Sequence, residues 1–339
     1  MKNKSIKIIA EVGVNHNGDI QSAQRYIKAA KDAGADAVKF QLFTSEKLVT
    51  EDANTAKYQK NQTGSLKQKD LLKGLELTKK HIIYLKKYAE KLKIEFICTP
   101  FDIDSLKFLI NQKISCLKLS SGDFDNIFMH EEIIKHSYPV ILSTGMSDLE
   151  EIKKVFNLYK SKGHTNFSFL HCVSIYPADL SLINLSFIKT LENSFPDISI
   201  GFSDHTSETI SGALSVVAGA KIIEKHITFS NHAAGPDHKA SLTISNFRKY
   251  VNNIRVAEES IGDGKKYISR EELEVKRIAR RSLAYSNTLK KGTKIKKNDL
   301  ISLRPNIGIS TFRYKEVVGN ILKKNVRKNS LIKLSDFIK

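Results

Sequence analysis

Eight short apolar runs, separated by amphipathic stretches, limit what this chain can become more than any other feature of its sequence. The runs are "IKIIAE" (6–11), "AVKFQ" (37–41), "EFICT" (95–99), "SCLKL" (115–119), "PVILS" (139–143), "FSFLHC" (167–172), "ISIGF" (198–202) and "KIIEKH" (221–226). Between them come stretches with helical spacing, such as "IQSAQRYIKAAKDAG", "DSLKFLINQK" and "LEEIKKVFNLYKSKG", several closing on residues that end helices. Near-continuous apolar strands are those of a parallel sheet buried on both faces. Eight strand-and-helix units over about 260 residues predict a closed (β/α)8 TIM barrel. The rival is a doubly wound open sheet, which ordinarily carries a glycine-rich phosphate turn after an early strand; "GVNHNG" lacks that pattern.

Residues just past the C-terminal ends of barrel strands converge on one mouth, where such enzymes keep their chemistry. Two runs end in histidine there, His205 after "ISIGFSD" and His226 after "KIIEK". Their separation is one helix-plus-strand unit, so they sit on adjacent strands. Two imidazoles so placed can share a divalent metal and leave positions open for water and substrate oxygen; the alternative is two polar strand ends with no common partner. Strand one ends on Glu11, while Lys39 and Lys118 interrupt otherwise apolar runs. A charge inside such a strand is costly unless paired or used, so both lysines read as anion ligands. Hydroxyls of Ser121, Ser143 and Thr144, with the glycine turns "SSG" and "STG", would complete a phosphate cradle, although either turn alone can simply cap the next helix.

The formal net charge of +19 raises the question of nucleic acid. Lysines recur along the whole length without zinc-finger spacing or a ribonucleoprotein aromatic motif, which argues for solvated helix faces and a diffuse field attracting small anions. The N-terminal "MKNKSIKIIAEVG" meets Glu11 after a short apolar run, too early for a signal peptide, and no segment approaches the roughly 18 to 20 apolar residues of a membrane span. Cys98, Cys116 and Cys172 each lie in an apolar run without CxxC spacing, as buried reduced thiols do. The expectation is a soluble cytoplasmic protein that binds neither nucleic acid nor membrane.

The segments "IIAEVGVNHNGD", "AGADAVKFQ", "TPFD", "KLSSGD", "ILSTGM", "LHCVSIYPA", "GFSDHT", "IEKHITF" and "GPDHKASL" follow in order along the chain. Together they resemble the sialic acid synthase family, enzymes that condense phosphoenolpyruvate with an N-acetylated mannosamine. The segment "RRSLAYSNTLKKGTKIKKNDLISLRPNIGISTFRYKEVVG" resembles that family's antifreeze-like SAF domain. The resemblance implies a catalytic barrel over 1–262, a charged linker over 263–281 and a SAF domain over 282–339. It implies a divalent ion, manganese above magnesium or cobalt, on His205 and His226, with Glu11 at the reacting carbons or a bound water. Lys39, Lys118, Ser121, Ser143 and Thr144 would contact phosphoenolpyruvate; Gln41, Ser174, Tyr176, Ser203, Asp204 and Asp237 would face the substrates. Arg304 would reach the sugar's N-acetyl group from the partner's C-terminal domain in a swapped homodimer. Two departures stand out: Asp123 replaces the glutamate of the family's "SGE", and "RPNIGIS" replaces "RP.NGIS". A carboxylate shortened by one methylene is displaced by about 1 Å, enough to weaken an acid/base step.

The tail carries a modest internal repeat. "LKKGTKIKKNDL" (289–300) and "VRKNSLIKLSDF" (326–337) align with Lys291/Lys328, Ile295/Ile332, Lys296/Lys333 and Asp299/Asp336 identical. Two acceptor sugars stay open: N-acetylmannosamine, giving N-acetylneuraminate, leads, and 2,4-diacetamido-2,4,6-trideoxymannose, giving a legionaminic acid, is the alternative. A pseudaminic acid synthase fits "GPDHKASL" less well. A non-catalytic carbohydrate- or ice-binding module would need a flat array of threonines or aromatics, whereas the tail is rich in Lys and Asn. The long connection over 42–77, with Tyr58, Gln59 and Asn61, reads as a lid.

Overall fold

The computed structural model describes residues 6–51, 53 and 67–338. The eight apolar runs form eight parallel strands: β1 (Lys7–Gly13), β2 (Ala37–Leu42), β3 (Glu95–Pro100), β4 (Cys116–Leu119), β5 (Val140–Ser143), β6 (Phe167–Cys172), β7 (Ser199–Asp204) and β8 (Ile222–Thr228). Each pairs with the next, and β1 closes on β8 from Lys7 opposite Ile222 to Glu11 opposite His226; a two-residue strand, β9 (Leu242–Thr243), pairs parallel with the end of β8. Closure leaves the eight strands no free edge. The barrel expected from the run spacing is thereby realised.

The covering helices are α1 (Ile20–Asp32), α2 (Lys79–Lys91), α3 (Ile103–Asn111), α4 (Ile127–Lys135), α5 (Leu149–Ser161), α6 (Ser186–Ser194), α7 (Ser211–Val217) and α8 (Ile244–Ile261). Their starts are written locally: the Asp19 carboxylate accepts from Gln21 and Ser22 N–H groups, Asp102 from Ser105, and Asp148 forms a capping box with Glu151. Helix α1 shows why such a stretch folds onto the sheet, since Ala23, Tyr26, Ile27 and Ala30 recur at helical spacing and are all buried. These residues join Ala10, Val38, Phe40, Leu117 and Phe202 in the core between strands and helices.

Alternate residues point into the barrel, and they change character with height. At the bottom, Ile9, Ala37, Ile97, Cys116, Ile141, Leu170 and Ile222 make an apolar plug. Gly201 occupies the β7 place in this region; a Cβ there would stand 2.2 Å from the Ile222 carbonyl oxygen and 2.5 Å from Leu170 Cδ2, so only glycine fits. Two residues further along each strand the interior becomes polar and charged: Glu11, Lys39, Thr99, Lys118, Ser143, Cys172, Ser203 and Glu224. The site is therefore the upper storey of the barrel's own packing.

Two short helices, Ser45–Leu48 and Gln68–Lys73, follow β2; Tyr58, Gln59 and Asn61, expected in a lid, lie outside the described residues. Cys98, Cys116 and Cys172 are buried free thiols. No helix among the described residues is long and apolar enough to cross a membrane.

The chain divides into two compact units, 1–262 and 263–339. The second opens with α9 (Arg270–Ala279), capped by Ser269, within the stretch read as a linker. Strands β10 (Ser282–Tyr285) and β11 (Leu300–Leu303) pair antiparallel, and Leu283, Tyr285, Ile295, Val317, Leu322, Ile332 and Phe337 form its core. The repeat is structural: Ile295 and Ile332 are both buried, the Asp299 carboxylate accepts from the Lys296 N–H at 2.8 Å, and Asp336 accepts from Lys333 at 2.9 Å.

Candidate active site

At the C-terminal mouth of the barrel the polar storey opens into a cavity of about 660 Å³. Its floor is an ionic lattice. Lys39 Nζ lies 2.9 Å from Glu11 Oε2 and 3.6 Å from Glu224 Oε2, and donates to Thr99 Oγ1 at 3.2 Å. Lys118 Nζ lies 3.8 Å from Glu224 Oε1, which also accepts from Ser203 Oγ at 3.2 Å. Gln41 donates to Glu11 Oε1 at 3.0 Å.

The two carboxylates are not equivalent. Burial alone would raise Glu224, but Lys118 and Lys39 beside it hold its pKa at about 2. Glu11 is raised, because burial and then repulsion from Glu224 outweigh the attraction of Lys39. The floor thus sets two buried lysines, of which Lys118 is held below its ordinary value by burial, against the acidic Glu224, with Glu11 as a carboxylate of raised pKa on its edge. The buried Ser143 hydroxyl has no hydrogen-bond partner among the described residues, and Ser121 Oγ accepts from the Gly145 N–H at 3.0 Å. Both line the same cavity.

Above the floor stand the two histidines, ring centroids 5.6 Å apart, with Tyr176 at 4.1 Å from the His205 ring. His205 Nδ1 is 2.8 Å from the Val173 carbonyl oxygen, an arrangement that makes Nδ1 the N–H and leaves Nε2 its lone pair. His226 is kept neutral by burial and by the neighbouring His205, and its Nδ1 is buried without a hydrogen-bond partner among the described residues. Burial lowers His205, but Cys172 and the Val173 carbonyl hold it above the ordinary imidazole value, so a divalent ion on this ring would displace a proton; with the orphaned His226 Nδ1 as second donor, the pair fits an ion that takes its remaining ligands from water and substrate. No cluster of three or more His, Cys, Asp or Glu ligands occurs among the described residues, so a closed structural metal site is not what they form. Asp237, at the edge of the cavity, is pushed up to about 6 by burial, partly offset by His205. Cys172, 3.8 Å from His205 Nδ1 and 3.9 Å from Ser174 Oγ, completes this side. Burial would raise its thiol, but His205, Ser121 and Lys118 hold it below the usual value.

Of the residues singled out in the sequence, Glu11, Lys39, Gln41, Lys118, Ser121, Ser143, Ser174, Tyr176, Ser203, His205, His226 and Asp237 line this one cavity. Four do not. Asp204 was expected at the substrate, but it points outward from β7 and is fully enclosed by Lys225, Ser211 and Tyr250. Thr144 is buried with its hydroxyl on the Leu170 carbonyl. Asp123 lies in the turn after β4, its oxygens accepting from Ser120 Oγ at 3.0 Å and Asn126 Nδ2 at 3.1 Å, so it holds its own turn. Arg304 belongs to the second unit, just past β11.

Sequence reasoning passed over Glu224 and Thr99, although the strand period offers a signal, since Glu224 stands two residues before His226 and shares its face. It also missed an apolar wall on one side of the cavity, built from Val14, Phe43, Leu71, Leu72, Leu75 and Phe101.

Residues 26–266 match the NeuB family and residues 280–338 match the SAF domain. An N,N'-diacetyllegionaminic acid synthase of Legionella pneumophila subsp. pneumophila is 40% identical over 324 residues, covering 94% of this chain and 91% of that protein. One from Campylobacter jejuni subsp. jejuni serotype O:2 is 37% identical, covering 97% and 99%. The crystal structure of N-acetylneuraminic acid (sialic acid) synthetase from Leptospira borgpetersenii serovar Hardjo-bovis superposes with a TM-score of 0.73 at 35% identity, covering 80% of this chain and 90% of that one. Barrel, charged floor and sequence likeness agree: the chain belongs to the NeuB family and carries a SAF domain in its C-terminal unit.

Proposed function

We propose that this chain condenses phosphoenolpyruvate with 2,4-diacetamido-2,4,6-trideoxymannose and water, giving N,N'-diacetyllegionaminic acid and phosphate. The observation that carries the reading is the pairing, in one cavity, of a two-lysine floor with an apolar wall. The floor suits a phosphate and a carboxylate, and the wall suits a sugar whose C6 is a methyl group. The diacetyllegionaminic acid synthases similar to this chain support the same acceptor.

Lys39 and Lys118 hold the phosphoenolpyruvate anion as fixed charges, and the hydroxyls of Ser121 and Ser143 donate to it. A divalent ion held by His205 and His226 would supply Lewis-acid polarisation of the open-chain sugar's aldehyde oxygen. The C3 carbon of phosphoenolpyruvate forms the new bond to the aldehyde carbon, whose carbonyl electron pair passes to oxygen. Water then adds at C2. Glu11, raised in pKa and beside Lys39, takes the proton of that water and returns one to the new alkoxide. Breaking of the bond between C2 and the phosphate ester oxygen then expels phosphate, which takes up the C2 hydroxyl proton as that hydroxyl oxygen becomes the 2-keto carbonyl.

The test is phosphate release from phosphoenolpyruvate by metal-stripped protein, with and without manganese, using the trideoxy sugar or N-acetylmannosamine and recording product masses. One methyl in an apolar pocket is worth about 1 to 3 kcal/mol. Manganese-dependent release with kcat/KM at least roughly tenfold higher for the trideoxy sugar is expected. Preference for N-acetylmannosamine would overturn the acceptor, and silence with both sugars would overturn the condensation.

A further inference from the structure

Two charged side chains sit immediately before the two histidines and face away from the cavity. Asp204 precedes His205 on β7, Lys225 precedes His226 on β8, and the two are register partners across the strand pair. Lys225 Nζ lies 3.1 Å from Asp204 Oδ1, with neither side chain exposed to solvent. The network around them is dense. Tyr250 OH from α8 donates to Asp204 Oδ2 at 2.8 Å, Ser211 Oγ from α7 donates to the same oxygen at 2.5 Å, and the Thr206 N–H donates to Oδ1 at 2.9 Å. Lys225 also donates to the Thr206 carbonyl at 2.5 Å. The peptide after His205 is thus tied to Asp204 through the Thr206 N–H, and the His205 carbonyl accepts from the Ala178 N–H at 2.9 Å.

The packing is arranged to permit this. Gly212, on α7, lies against Tyr250 so closely that a Cβ would stand 2.4 Å from the phenol ring and 2.6 Å from its oxygen, so glycine is what lets the hydroxyl reach Asp204. An enclosed ion pair of this kind contributes little net stability over apolar residues of similar volume, because desolvation offsets the attraction. What it does supply is a link across the two strand ends from which the imidazoles project.

We propose that Asp204, Lys225 and Tyr250 are positioning residues for the histidine pair, acting from the outer face of the barrel to hold His205 and His226 at the separation a shared divalent ion requires. This rests on the reading of those histidines as metal ligands. None of the three touches substrate; each acts through a neighbouring histidine or the strand that carries it. Outer partners that orient metal ligands typically matter by about 10- to 100-fold in metal affinity.

The test uses the full chain, stripped of metal and titrated with manganese(II) by electron paramagnetic resonance, alongside thermal midpoint and steady-state kinetics. Two variants are compared with wild type: Tyr250→Phe, and the double substitution Asp204→Asn with Lys225→Met, which removes both charges together. The expected result for the double variant is a midpoint close to wild type, at least about tenfold weaker manganese binding, and an unchanged KM for phosphoenolpyruvate. General loosening of the barrel would raise that KM as well. Manganese affinity within twofold of wild type in the folded double variant would overturn the inference and leave the proposed function intact. If the double variant does not fold, Tyr250→Phe decides, with a loss of affinity expected at constant KM and an unaltered affinity overturning it. A wild-type protein that binds no manganese would overturn the metal reading and this inference together.

Discussion

Replacing Glu224 with glutamine removes the carboxylate that, among the described residues, pairs with both buried lysines. Its oxygens lie 3.8 Å from Lys118 Nζ and 3.6 Å from Lys39 Nζ, and the pKa of the group sits at about 2 against an ordinary 4.5. That depression corresponds to about 3 kcal/mol favouring the ionised native form. The folded pKa is below the unfolded one, so this stabilisation is fully present above pH 4.5 and is lost as pH falls towards 2. Glutamine keeps the volume and the acceptor for Ser203, which makes charge the main thing lost. Because the chain has no tryptophan, far-ultraviolet circular dichroism in urea is the assay. Near neutral pH the Glu224→Gln protein should be less stable by about 3 kcal/mol, as when one member of a buried pair is removed, and the gap should narrow as the wild type is acidified below 4.5. Inorganic phosphate should stabilise the variant more than the wild type, since it restores a negative charge to the lysines. Equal stability of the two proteins near neutral pH without phosphate, or a gap that ignores acidification, would refute the argument that these lysines depend on Glu224.

Gly201→Ala places a methyl 2.2 Å from the Ile222 carbonyl oxygen inside the barrel plug; overpacking of this sort costs about 1 to 3 kcal/mol and should lower the thermal midpoint by several degrees. Asp123→Glu should leave kcat within roughly threefold of wild type, because a group already holding Ser120 and Asn126 is not placed to move a proton in the rate-setting step. A larger change in kcat would return Asp123 to the chemistry.

Much of the site was legible because a barrel strand writes its interior at every second residue. Lys39 and Gln41, or Ser203 and His205, are spaced as the pleat demands, and an ammonium in an apolar run is costly enough to draw notice. The resemblance of the ordered motifs then added roles that spacing alone does not give. Glu224 is legible only through His226, which stands two residues on and shares its face; by itself "KIIEKH" sets Glu224 among Lys221 and Lys225, charged residues that mask it.

The sequence by itself determined the eight-unit alternation, the helix caps and the strand-end position of both histidines, because these depend on local periodicity and on side chains bonding to backbone a few residues away. Tertiary structure alone decided inside from outside. In a half-exposed sheet, hydrophobic alternation reveals which residues face the core, but here both faces of every strand are buried, one on the plug and one on the helices, so polarity carries no sign of direction. Ser203 and Asp204, adjacent and both polar, therefore read alike in the sequence, and only closure of the barrel sends one hydroxyl to Glu224 and the next carboxylate to Lys225, Ser211 and Tyr250.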